Sequence, residues 1–122
     1  MPEPPAASLS VDGGDPVVGQ LGTFTWLNGG SDAPWLDGSP IHVGAGETLS
    51  VDLAEAFAIG AWRVSRVVPG NRDGVGAMPM DQGSGEPISF NAPPPGSWSV
   101  EVSVRFAAND GTALYFWLVE VE

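Results

Sequence analysis

One histidine, His42, stands alone in a chain of 122 residues that contains neither cysteine nor lysine. With a single imidazole, a metal site would have to be completed by carboxylates, and a catalytic base would need a nucleophile held against it. Ser39, Ser50 and Asp37 lie near in sequence, but their spacing fixes no triad. His42 therefore reads as an edge-strand residue, and no catalytic residue is assigned. Calcium takes about six to eight oxygen ligands, and three loop segments offer oxygens: Asn71-Arg72-Asp73-Gly74, Asp12 with Asp15, and Asp32 with Asp37. None has the alternating acidic spacing of a dedicated loop, and turn chemistry accounts for the same residues. The expectation is no metal and no cofactor.

Five tryptophans raise a different chemistry, because an exposed indole face can stack on the apolar face of a sugar ring. Trp26, Trp98 and Trp117 fall in alternating patterns that aim them inward. Trp35, set among Gly, Asp and Pro, and Trp62 are the candidates for sugar stacking. Glycoside hydrolysis would further require two carboxylates across a cleft, which a chain of this size offers little room to build.

Charge narrows the partners. Fifteen Asp and Glu face four Arg, for a formal net charge of −11. A surface of that sign repels phosphate backbones and anionic lipid heads, so nucleic acid is not an expected partner. The acids are spread along the chain and read as a solvated surface. No stretch approaches the roughly 20 apolar residues of a membrane helix, so direct membrane insertion is not expected either.

The elements that must position these residues are strands. Seventeen Gly and twelve Pro imply many turns and little helix, and a helical turn or two at most is expected, near Ala54 to Ala58. The clearest pattern runs from Gly96 to Glu122. Trp98, Val100, Val102, Val104 and Phe106 alternate with Ser97, Ser99, Glu101, Ser103 and Arg105, and Asn109-Asp110-Gly111 separates them from a second run. A period of two marks a strand with one buried face, and Asp-Gly is a hairpin signal. A two-residue loop would pair Phe106 with Tyr115, Val104 with Trp117, Val102 with Val119 and Val100 with Val121. It leaves Leu114, Phe116 and Leu118 on the opposite face, where burial requires either the loop bearing Trp35 or a partner chain. These three residues are the candidate partner interface.

Upstream, strands are expected at Ser8 to Val11, within Val17 to Leu27, at Pro40 to Val43, Thr48 to Leu53, around Trp62 to Val67, and at Ile88 to Phe90, with a long loop from Pro69 to Glu86. The expected core comprises Phe24, Trp26, Leu49, Val51, Trp98, Val100, Val102, Val104, Phe106, Tyr115, Trp117 and Val119. Residues 1–7 read as a flexible Pro-rich linker and residues 8–122 as one domain. The fold class is all-β, an antiparallel immunoglobulin-like β-sandwich of about seven to eight strands, a size that can hold a core without disulfides.

Two segments carry a resemblance. Pro95-Gly96-Ser97-Trp98 with its alternating valines is similar to the entry into a late strand of bacterial immunoglobulin-like modules. Leu21-Gly22-Thr23-Phe24-Thr25-Trp26, Trp35-Leu36-Asp37-Gly38 and Val43-Gly44-Ala45-Gly46-Glu47-Thr48-Leu49 resemble uncharacterised domains of exported bacterial lipoproteins. In that group, two cysteines stand where this chain has Thr25 and Trp35 or its neighbour. The resemblance implies export and no known activity. With it, the opening Met-Pro-Glu-Pro-Pro reads as the remnant of a linker that follows a signal or lipid anchor in a longer protein. The expected function is a non-enzymatic, extracytoplasmic binding or spacer module whose partner is a protein or a cell-wall glycan. The alternative is a carbohydrate-binding module using Trp35 and Trp62.

Overall fold

The computed structural model describes residues 6–11, 14–26, 29–31, 38–53, 59–69, 76–85, 88–107 and 111–122. Among the described residues eleven strands form: β1 (Ala7–Val11), β2 (Val17–Val18), β3 (Gln20–Trp26), β4 (Gly29–Ser31), β5 (Ser39–Val43), β6 (Thr48–Leu53), β7 (Ile59–Val67), β8 (Met78–Ser84), β9 (Ile88–Asn91), β10 (Gly96–Phe106) and β11 (Thr112–Val121). A small sheet of order β2-β1-β6-β9 faces a large one of order β4-β3-β11-β10-β7-β8, and β5 also pairs with β11. Every pairing is antiparallel except β5 with β11. The fold is an immunoglobulin-like β-sandwich, with more strands than expected because short β2 and β4 and the polar β8 join it. The helical turn expected near Ala54 to Ala58 lies outside the described residues.

The core follows from alternation. Leu9, Leu49, Ile88 and Phe90 point from the small sheet toward Val64, Val100, Val102, Val104, Tyr115, Trp117 and Val119 of the large one, all nearly or wholly buried. Trp117 ties the two sheets together, its indole N–H donating to the Val17 carbonyl at 2.7 Å. Phe24 is only partly buried, and the Trp26 side chain lies outside the described set.

The final hairpin keeps the expected faces and departs from the expected register. Val104 sits opposite Ala113, Val102 opposite Tyr115, Val100 opposite Trp117 and Trp98 opposite Val119. Pairing closes where the Phe106 N–H donates to the Gly111 carbonyl at 2.8 Å, so residues 107–110 lie between the strands instead of a two-residue loop. The slide is an even number of positions, which leaves each side chain on its own face. Burial selects the face, and either register matches apolar with apolar, so burial could not choose the loop length.

β11 changes partner along its length, pairing with β3 through Phe116 and with β5 from Trp117 onward. Gly38 sits at that junction with φ +97°, and its N–H donates to Gln20 Oε1 at 3.0 Å. Any Cβ there would collide with the β11 backbone, so only glycine allows the approach. Further along, the segment expected to be a loop from Pro69 to Glu86 contains β8. Its sequence, MPMDQGS, has no alternation because it is an exposed edge strand. A bulge opposite Val64 and Ser65 turns Met80 toward the core.

Candidate functional site

On the outer face of the large sheet, strand register assembles polar side chains that are far apart in sequence. Arg63 of β7 stands between Gln82 of β8 and Ser103 of β10, while Arg105 of β10 stands between Ala61 and Thr112. Small residues between long ones leave hollows. One, of about 270 Å³, is lined by Ala61, Trp62, Arg63, Ser103, Arg105 and Thr112. Another, of about 430 Å³, is bounded by Arg63, Ser65, Pro79, Asp81 and Gln82. Arg63 is common to both, so the two hollows adjoin.

Glu101 lies on the same face, opposite Ser65 and Phe116. Burial raises its carboxyl above the ordinary carboxylate range, and the Arg63 charge pulls it partly back. The face therefore offers guanidinium, amide, hydroxyl and carboxyl groups. Such a set can donate to and accept from a hydroxyl-rich ligand.

Trp62, one of the two expected stacking residues, does not present its ring to solvent. It is 7% exposed, and its indole N–H donates to the Gly85 carbonyl at 3.1 Å. A Cβ at Gly83 would come within 2.7 Å of the ring, so that glycine makes the space Trp62 fills. Trp35 lies outside the described residues. Phe116 of the expected interface is 1% exposed within the single chain; the space left by Gly22 admits its ring. Leu114 and Leu118 are half-buried. Burial of Phe116 thus needs no second chain.

His42 of β5 faces Glu120 of β11 across the parallel register, Nδ1 to Oε2 at 3.1 Å. Ser50 belongs to the other sheet, and Asp37 lies outside the described residues, as do Asn71, Asp73, Asp12 and Asp32. Asp15 is exposed. Among the described residues, no three His, Cys, Asp or Glu side chains converge. The outer-face site was missed because the alternation of Arg63, Ser103 and Arg105 gives their face but not which strands lie side by side.

No family model matches the chain, and no curated protein matches it in sequence. Solved structures do share its fold. The catalytic domain of a lytic polysaccharide monooxygenase from Listeria monocytogenes superposes with a TM-score of 0.57 at 9% identity, covering 70% of this chain and 61% of that one. A polysaccharide monooxygenase of the CBM33 type gives 0.53 at 10% identity, covering 68% and 60%. The CBM33 protein of Bacillus amyloliquefaciens, in complex with Cu(I), gives 0.56 at 8%, covering 70% and 57%. The chain thus spans about three fifths of each.

These findings correct the expectation of a non-enzymatic binding or spacer module. The sandwich is one on which catalysis on polysaccharide is built, and of the two expected functions the carbohydrate reading agrees with it better. Likeness at this identity establishes the fold, and sites must be argued separately. Copper illustrates the difference. Imidazole and soft sulfur ligands suit it, whereas this chain has one histidine and no cysteine, and that histidine is turned to Glu120. The residues present do not fit a copper centre.

Proposed function

We propose that the domain recognises polysaccharide outside the cytoplasm, as part of a secreted or lipid-anchored protein, and that the outer face of the large sheet receives the glycan. The observation that carries this reading is the pair of adjoining hollows sharing Arg63 on a polar sheet face, in a fold whose solved examples are named for polysaccharide chemistry. Arg63, Gln82, Asp81 and Ser103 supply both donors and acceptors along that face. Guanidinium and carboxyl groups of opposite sign suit a neutral chain of hydroxyls better than a polyanion. Trp35 keeps its role in the proposal as a stacking residue.

Titration with neutral oligosaccharides, read by calorimetry, tests the reading. A hydrogen bond from a charged donor is worth about 1.5–3 kcal/mol, so Arg63→Ala weakens binding by about tenfold or more, and Gln82→Ala by less. Binding by Arg63→Ala at wild-type affinity, with the fold intact, would overturn the assignment of this face.

A further inference from the structure

Arg66 lies at the far end of β7, on the opposite side of the sheet from Arg63, and its environment is unusual for an acidic protein. Its guanidinium carbon stands 4.9 Å from the centroid of the Trp98 ring. Among the described residues its Nη2 donates to the Met78 thioether, at 3.8 Å, a weak acceptor. Its Nε is buried and has no hydrogen-bond partner. Although the chain carries fifteen carboxylate side chains, none pairs with Arg66 among the described residues.

The platform beneath the guanidinium is built to stay put. Trp98 donates its indole N–H to the Pro94 carbonyl at 2.8 Å, across a turn in which Gly96 takes φ +132°. Trp98 was expected in the core and is instead half-buried, with the arginine laid over it. Met78, 51% exposed, pairs with Arg66 across the ladder, and Val68, 64% exposed, follows two residues on. The result is a flat cation, fixed by an aromatic ring and flanked by apolar surface.

We propose that Arg66 is a receptor for the carboxylate of a uronic acid residue, so that the polysaccharide bound by this domain includes acidic sugars. The inference rests on the glycan reading above. A guanidinium stacked on an indole lies flat, so Nη1 and Nη2 can offer two parallel bonds to a carboxylate that displaces the weak Met78 thioether contact from Nη2. Met78 and Val68 present apolar surface of the kind that accepts the C–H face of a pyranose. The net charge of −11 opposes anionic polymers at long range, so binding of an acidic sugar here has to come from direct contact with the guanidinium.

The probes are an oligogalacturonate, a neutral oligosaccharide and a Glu-rich peptide, each titrated into wild type and into Arg66→Met, Arg66→Gln and Arg66→Lys. Arg66→Met keeps the stem over Trp98; Arg66→Lys keeps the charge without the fork. Far-ultraviolet circular dichroism reports folding for each. The expected result is saturable oligogalacturonate binding, weakened by about tenfold or more in the Met and Gln variants and partly retained in the Lys variant. Neutral oligosaccharide binding is unchanged by all three and weakened by about tenfold or more in Arg63→Ala. Equal affinity of wild type and folded Arg66→Met or Arg66→Gln for oligogalacturonate, or no oligogalacturonate binding by wild type, would overturn the inference while leaving the Arg63 face to stand or fall on the neutral probe. Tighter, Arg66-dependent binding of the peptide would overturn the assignment to glycan.

Discussion

Trp117 and Gly19 make a coupled pair whose energetics can be worked from the structure. The indole is fully buried, bridges the sheets through its 2.7 Å bond to the Val17 carbonyl, and lies where a Cβ on Gly19 would come within 2.6 Å of its Cζ2. Carbon atoms prefer separations of about 3.5–4.0 Å, so Gly19→Ala forces a displacement of about 1 Å on a ring that is both packed and hydrogen-bonded. Overpacking of that kind costs about 1–3 kcal/mol, reduced by about 0.4–1 kcal/mol from the less flexible unfolded chain. A net loss of about 1–2 kcal/mol follows. Trp117→Phe removes the six-membered part of the indole that Gly19 touches and orphans the Val17 carbonyl, at about 1–3 kcal/mol. In the double variant the smaller ring leaves room for the methyl group. The double variant should therefore be no less stable than Trp117→Phe alone, giving a coupling of about 1–2 kcal/mol. Urea denaturation of the four proteins, with matching slopes, measures it. Simple additivity of the two single effects would refute the packing argument.

Other substitutions separate the remaining readings. Phe116→Glu should cost about 3 kcal/mol or more by placing a charge where an aromatic ring was buried, with no change of size by light scattering; loss of association without loss of stability would support the partner interface instead. His42→Ala should alter stability by no more than about 1 kcal/mol, because its contact with Glu120 is an exposed pair; a larger loss by urea denaturation would mean His42 does more than pair at the surface. Glu101→Gln tests the buried carboxyl. Its folded pKa is raised, so its favourable contribution is complete in acid, below the unfolded value, and is lost as pH rises through the folded value. The substitution should raise the melting temperature at neutral pH and leave it unchanged in acid, and an equal effect at both would show that burial does not set this carboxyl's titration.

How much of this was legible in the sequence depends on the scale of the interaction. Alternation placed Val100, Val102, Val104, Tyr115, Trp117 and Val119 on the inner face, because burial of a whole strand face is dictated by every second residue. It gave neither the hairpin register nor β8, since the first depends on loop length and the second is a polar edge strand with no face to bury. Trp62 and Trp98 show the limit more sharply. Alternation suits both to the inner face, yet one is sealed by the missing side chain of Gly83 and the other is half-open beneath Arg66. What distinguishes them is which residue of a neighbouring strand comes opposite, and that information resides in long-range register. The candidate sites depend on it entirely: Arg63 meets Gln82 and Ser103, and Arg66 finds Trp98 and Met78, only once β7, β8 and β10 are laid side by side. Function was harder still to read, because the sandwich is shared with polysaccharide monooxygenases at 8–10% identity while this chain has a single imidazole and no thiol to offer a copper centre. A common backbone can therefore keep the orientation of its sheets while the side chains on one face are replaced, and it is on the arginines of β7 that recognition by this chain has to be tested.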